Sequence, residues 1–272
     1  MSLSPTGPTP RILVFDSGVG GLSIVHEIQQ KLPSVPLIYA SDNAFFPYGT
    51  KGEAELITRV DKVFHKLTGH YPIDIIVVAC NTASTLALPH IRSHFSQPIV
   101  GVVPAIKPAV AQSKSQVIGL LATPATVARP YTLNLIREYA SNAEVISVGS
   151  SELVLLAEQK LRGEHIASQR IKTILQPFFD HPRGSEMDTL ILACTHFPLL
   201  RDELQGHFAG HVQLIDSGEA IARRVVSLLG EREFPKSTPE HLAVFTKEML
   251  AIAELKPQLG QFGIYNLDIL GI

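Results

Sequence analysis

The chain contains two cysteines, Cys80 and Cys194, and the sequence delivers them in the same way. Each closes an apolar run that an aspartate opens six residues earlier, in 74-DIIVVACNTAST-85 and again in 188-DTLILACTHFPL-199. Read singly, either cysteine is a small buried hydrophobe. A matched pair asks for chemistry, and the thiolate is the reactive form of a group whose ordinary pKa is about 8.5. Metal binding takes three or four ligands, and only His196 stands close by, as C-x-H. A redox couple takes C-x-x-C or another close pair, which is absent. A single Cys–His nucleophile built on His196 leaves one thiol idle. Two-base proton transfer at a carbon atom, with one sulfur on each face, is the use that employs both.

Other candidates gather at similar places. The loop 16-DSGVGGLS-23 follows an apolar run and opens a helix, but it lacks the third glycine of a dinucleotide fingerprint. Asp42 is a loose candidate for the acid that would hold a ribose. The glycines still allow close backbone approach to an anion at a helix start. Asp16 can receive an ammonium group, hold a thiol in register, or simply cap the helix. In 41-SDNAFFPYGTK-51, Tyr48 and Gly49 sit in a turn whose amides can grip an anion. Thr123 and Thr126, in 119-GLLATPATVARP-130, are donors or caps. Glu152 is an acid in a helix's first turn. Neither a Walker-type phosphate loop nor the mark of a pyridoxal lysine is found.

The elements that must position these groups are legible from periodicity. Short apolar runs without alternation, at 11–15, 36–41, 74–79, 98–103, 116–122, 143–149, 188–193 and 212–217, predict strands buried on both faces. Between them lie helical patterns. Leu56, Ile57, Val60, Val63, Phe64 and Leu67 form one stripe, with Thr50 and Glu53 as a capping box and a stop near Gly69. A second helix is predicted over 152–161, and a helix is predicted after each cysteine. The class is α/β. Strand ends at Asp16, Cys80 and Pro104 are spaced 64 and 24 residues apart, against 71 and 22 for Thr123, Cys194 and Asp216. That correspondence suggests a duplicated unit. The expected division is a disordered leader over 1–10, a first α/β domain of 11–99 with 212–272, and a second of 100–211.

At 272 residues, 45% hydrophobic and 18% charged, the chain can bury a sizeable core. A net charge of −2 gives no general pull toward nucleic acid or an anionic membrane. No apolar run reaches the ~20 residues of a membrane helix, and MSLSPTGPTP lacks the plan of a signal peptide. A cytoplasmic protein with free thiols is expected.

Six segments taken together, FDSGVGGLS, FPYGTK, VACNTAS, GLLATPAT, LACTHFPLL and IDSGEAIARR, resemble the glutamate racemases of the cofactor-independent aspartate/glutamate racemase superfamily. The resemblance covers about Arg11 to Leu229, and the tail from Phe234 is less informative. It implies two similar doubly wound α/β domains related by a pseudo-twofold, with the substrate in the cleft between them. It also implies interconversion of L- and D-glutamate without cofactor or metal, supplying D-glutamate for peptidoglycan. Carried over residue by residue, Cys80 and Cys194 are the two bases, and Asp16 and Ser17 lie at the substrate ammonium and first thiol. Asn81, Thr82, Thr195 and His196 contact substrate, and His196 and Glu152 support the second thiol. Tyr48 and Gly49 offer amides to the side-chain carboxylate, and Thr123 and Thr126 hold the α-carboxylate. Alternatives are another racemase of the superfamily, such as one acting on aspartate, a non-catalytic carboxylate-binding protein, or a redox or nucleotide-dependent enzyme. A homodimer is left open.

Overall fold

Strands that are apolar along their whole length need cover on both faces, and parallel strands with crossover helices provide it. The computed structural model, which describes residues 11–208, 210–231, 234 and 238–272, is built this way throughout. In chain order the first elements are β1 (Ile12–Asp16), α1 (Leu22–Lys31), β2 (Leu37–Ser41), α2 (Glu53–His70), β3 (Ile75–Val78), α3 (Asn81–His94) and β4 (Ile99–Gly101). Then come α4 (Ile106–Gln112), β5 (Val117–Ala122), α5 (Pro124–Ala128), α6 (Pro130–Tyr139), β6 (Glu144–Gly149), α7 (Glu152–Leu161) and α8 (Ser168–Asp180). The series ends with β7 (Thr189–Leu192), α9 (Arg201–Gln205), β8 (Gln213–Ile215), α10 (Gly218–Leu229), β9 (His241–Phe245), α11 (Leu250–Gln261) and β10 (Ile264–Ile269).

Two compact units result, one of residues up to Val102 with Gly218 onward, the other Val103–Ser217. The first holds a six-stranded sheet in the order β10-β9-β2-β1-β3-β4, and the second a four-stranded sheet in the order β6-β5-β7-β8. Every strand pair in both is parallel. The order β2-β1-β3-β4 is the order β6-β5-β7-β8 in another part of the chain. That is the duplication the strand spacing suggested.

The sequence-based boundaries shift for reasons of pairing. Residues 100–102 go with the first unit because β4 bonds to β3, and residues 212–217 go with the second because β8 bonds to β7. The leader expected over 1–10 lies outside the described residues. All eight predicted strands are present. Two more, β9 and β10, extend the first sheet from the tail, where only helix α11 separates them.

Around each sheet the helices bury apolar stripes. On α2 the residues Leu56, Val60, Val63, Phe64 and Leu67 are buried and Ile57 is half-buried. Phe64 meets Phe15 of β1 edge to face at 4.8 Å. The helix begins after Gly52 rather than at Thr50, whose hydroxyl donates instead to the Pro47 carbonyl. Helix α7 spans the predicted residues, and Gly163 at φ +82° ends it in the left-handed conformation that a Cβ disfavours. The second core gathers Ile118, Leu120 and Ala122 of β5 with Ile191 of β7, Ile106 and Ala109 of α4, and Ala140.

Candidate active site

In a sheet ordered 2-1-3-4 the chain leaves the central strands in opposite directions. The crevice beyond their C-terminal ends is where such folds bind ligands. In the first unit that point lies between β1 and β3. Asp16 is the last residue of β1 and fully buried, and Cys80 follows the end of β3 by two residues. The Ser17 amide and hydroxyl both donate to Asp16 Oδ1, at 2.6 and 3.3 Å, and Ser17 Oγ lies 3.9 Å from Cys80 Sγ. Asp16, Ser17 and Cys80 are thus one cluster.

What lets the loop after β1 pass so close is Gly21. A Cβ there would stand 3.0 Å from Asp16 Cβ, 3.0 Å from Tyr39 Cε2 and 3.2 Å from Ala79 Cβ. Tyr39 also pins the loop by donating from its hydroxyl to the Gly18 carbonyl. Gly21 therefore serves packing of this loop against the neighbouring strands.

Cys80 is the N-cap residue of α3, and the whole first turn, Asn81 to Ser84, is buried. The positive end of a helix dipole favours negative charge there. Ser84 Oγ donates to the Val78 carbonyl and accepts the Val102 amide, which ties β3, α3 and the end of β4 together. Thr82 is buried, and Asn81 Oδ1 is buried with no hydrogen-bond partner. A buried acceptor of that kind is costly unless something donates to it.

Tyr48 opens a 3₁₀ turn, Tyr48–Thr50, that also holds Gly49. The first amides of such a turn have no partner within it. The Tyr48 hydroxyl donates to Asp42 Oδ2 at 2.7 Å. Asp42, fully buried, also takes a two-pronged grip from Arg59 at 2.9 and 2.6 Å and the Thr246 hydroxyl at 2.7 Å. Burial and the Asp42 carboxylate hold the Tyr48 phenol well above its usual pKa, so it stays a donor. Asp42 is therefore the anchor of this turn, and the ribose reading of it does not hold.

In the second unit the equivalent point lies between β5 and β7. Cys194 follows the end of β7 by two residues, as Cys80 follows β3, and is 8% exposed. Its surroundings differ. No helix starts at Cys194, contrary to expectation; His196 precedes a 3₁₀ turn, Phe197–Leu200, and α9 begins only at Arg201. The charge partner is instead His196, whose Nδ1 lies 3.8 Å from Cys194 Sγ. Its Nε2 lies 2.9 Å from Glu158 Oε1. Burial alone would pull the imidazole pKa down, but Cys194 and Glu158 on its two sides outweigh that and hold it well above the usual value.

The acid behind His196 is therefore Glu158 and not Glu152. Glu152 begins α7 and faces solvent, where it pairs with Arg170 at 2.8 Å. Six residues further, about 120° around the helix by the short way, Glu158 is turned inward with its side chain 13% exposed. Its signal was present in the apolar stripe of α7, Leu153, Val154, Leu156 and Ala157, whose edge Glu158 extends. Thr195 and His196 are both buried. Thr123, at the position after β5 that matches the end of β1, caps α5, and its hydroxyl lies 3.0 Å from that of Thr126. The structure thus gathers Asp16, Ser17, Cys80, Asn81 and Thr82 in one unit, and Cys194, Thr195, His196 and Glu158 in the other, with Thr123 and Thr126 paired.

Known proteins share this plan. A model of the Asp/Glu/Hydantoin racemase family matches residues 20–225. The glutamate racemase of Salmonella paratyphi A is 46% identical over 274 residues, spanning 100% of this chain and 96% of that protein. The Escherichia coli glutamate racemase, crystallised with L-glutamate and the activator UDP-MurNAc-Ala, superposes with a TM-score of 0.91 at 45% identity, covering 97% of this chain and 99% of the other. The Francisella tularensis glutamate racemase, crystallised with D-glutamate, gives a TM-score of 0.77 at 29% identity, covering 96% and 97%. A family match over most of the chain, joined to near-half identity along its full length, leaves no room for a shared fold alone: this chain belongs to the Asp/Glu/Hydantoin racemase family.

Proposed function

We propose that the protein is a glutamate racemase that inverts the α-carbon with two thiols and no cofactor. The observation that carries this reading is the equivalence of Cys80 and Cys194, each two residues past the same strand of a sheet of the same order. Full-length likeness to glutamate racemases supports glutamate as the substrate over aspartate.

The α-proton of an amino acid whose carboxylate is ionised is weakly acidic. A positioned acid and base supply ~10²–10⁴-fold. The remainder must come from oriented donors at the carboxylate and from exclusion of water. One sulfur begins as thiolate and removes the proton, while the other begins as thiol and protonates the opposite face; the reverse turnover exchanges the two states. The scheme requires one sulfur on each side of the α-carbon. His196, held protonated by Cys194 and Glu158 on its two sides, donates to the Cys194 sulfur when that sulfur is an anion. On the other side the N-terminus of α3 and the Ser17 hydroxyl serve Cys80. Asp16 and the unpartnered Asn81 Oδ1 both suit the ammonium group. The amides of Tyr48 and Gly49 suit the side-chain carboxylate, and Thr123, Thr126, Thr82 and Thr195 the remaining oxygens. The D-glutamate formed supplies peptidoglycan synthesis. Two free cysteines and the lack, among the described residues, of any helix fit to cross a membrane support a cytoplasmic setting.

Purified protein incubated with L-glutamate and no added cofactor should lose the circular-dichroism signal of the substrate until the enantiomers are equal. L-aspartate should be a much poorer substrate. The variants Cys80→Ala and Cys194→Ala should each lower the rate by at least ~10²–10⁴-fold. Binding of glutamate without loss of optical signal would instead identify a carboxylate-binding protein.

A further inference from the structure

We propose that the α2–α3 pair carries a binding site for a divalent transition-metal ion such as zinc, built from Asp61, His90 and His94. The ligand atoms these residues offer all lie within 4.8 Å of one another. His90 and His94 stand four residues apart on α3, on one face, with their rings stacked at 4.0 Å. Asp61 faces them from α2, with Oδ1 2.8 Å from His90 Nε2. Two imidazoles and a carboxylate suit a borderline ion and leave positions open for water.

The groups behind these ligands point the same way. His94 Nδ1 lies 2.8 Å from the His90 carbonyl, which can only accept, so Nδ1 carries the proton and Nε2 keeps its lone pair. His65 Nδ1, one turn on from Asp61, lies 3.0 Å from the Asp61 backbone carbonyl and 3.3 Å from the other carboxylate oxygen. The cluster sits at the C-terminal end of α3, where the helix dipole favours a cation.

An ion binding here takes the place of the proton between His90 Nε2 and Asp61 Oδ1, and that proton goes to solvent. With bonds of ~2.0–2.1 Å the two ligand atoms must part by about half an ångström, which α2 and α3 can absorb at their surface. Cys80 caps the opposite end of α3, ~20 Å away at 1.5 Å per residue. The ion therefore does not touch the reacting atoms; it fastens α3 to α2.

The test is equilibrium dialysis of the full chain against zinc, in a Cys80→Ser/Cys194→Ser background so that thiols do not compete. One zinc per chain is expected. His94→Ala and Asp61→Asn should each weaken binding at least about tenfold. His70→Ala, an exposed histidine outside the cluster, should leave it unchanged. Zinc should also raise the unfolding midpoint of the parent and not of His94→Ala. Failure to bind one zinc, or equal binding by the His94→Ala and Asp61→Asn variants, overturns the site, and neither result bears on racemisation.

Discussion

At the scale of single residues, the two sulfurs are alike in position and unlike in support. Cys80 has a helix N-terminus and a serine; Cys194 has a histidine backed by a carboxylate. The sequence showed both cysteines because a rare residue type at matched strand ends stands out, Asp16 because it opens the glycine-rich loop, and His196 because it stands two residues after Cys194. It did not separate Glu152 from Glu158, since both lie on α7 and only the facing of the helix decides which reaches His196. The distinction is measurable. Glu158→Gln removes one of the two partners that hold the His196 imidazole up, so its NMR titration midpoint should fall toward the ordinary 6.5. Racemisation should fall with it, on the order of tenfold or more. Glu152→Gln, on a solvent-exposed pair with Arg170, should change activity less than twofold and leave the midpoint in place. Equal effects from the two variants would contradict the assignment.

At the scale of elements, the strands were legible because burial on both faces leaves uninterrupted Val- and Ile-rich runs, as in 75-IIVV-78. The C-terminal strands were not read. Ile264–Ile269 is an edge strand with Tyr265 exposed and shows no buried run, whereas His241–Phe245 carries the buried run Ala243, Val244 and Phe245 and was passed over in the less distinctive tail. The turn at Asp42 escaped for a different reason: its partners Tyr48, Arg59 and Thr246 come from a turn, a helix and a tail strand end that meet only in the fold. A similar anchor sits below β7. Asp188 accepts from the Ser113 hydroxyl at 2.6 Å, the Lys114 and Ser115 amides at 2.7 and 2.8 Å, and the Thr189 hydroxyl at 3.0 Å. Partial burial opposes ionisation, but these donors outweigh it and bring the carboxyl from 3.8 to about 2. Since the folded pKa is the lower one, the stabilisation is present above 3.8 and is lost as pH falls through about 2. Asp188→Asn should cost about 1–2 kcal/mol at neutral pH, discounted for solvent screening. Urea denaturation should show the gap between variant and parent closing as pH falls through that window; a gap independent of pH would contradict it.

At the scale of the whole molecule, the duplicated strand order is what turns two ordinary cysteines into a pair. The matched intervals between strand ends in the two halves already suggested it, and the sheets β2-β1-β3-β4 and β6-β5-β7-β8 give it a structural form. The compact units differ from the expected division at 100–102 and 212–217, and those differences follow from single strand pairings that periodicity does not specify. The central claim is that a different sulfur serves each face of the substrate, and isotope partition in D₂O tests it most directly. Starting from L-glutamate at early conversion, the scheme predicts D-glutamate that carries deuterium at the α-carbon while the remaining L-glutamate stays protiated, with the mirror result from D-glutamate. Deuterium entering recovered substrate as fast as product, or product retaining the original α-hydrogen, would show one base working both faces and contradict the account.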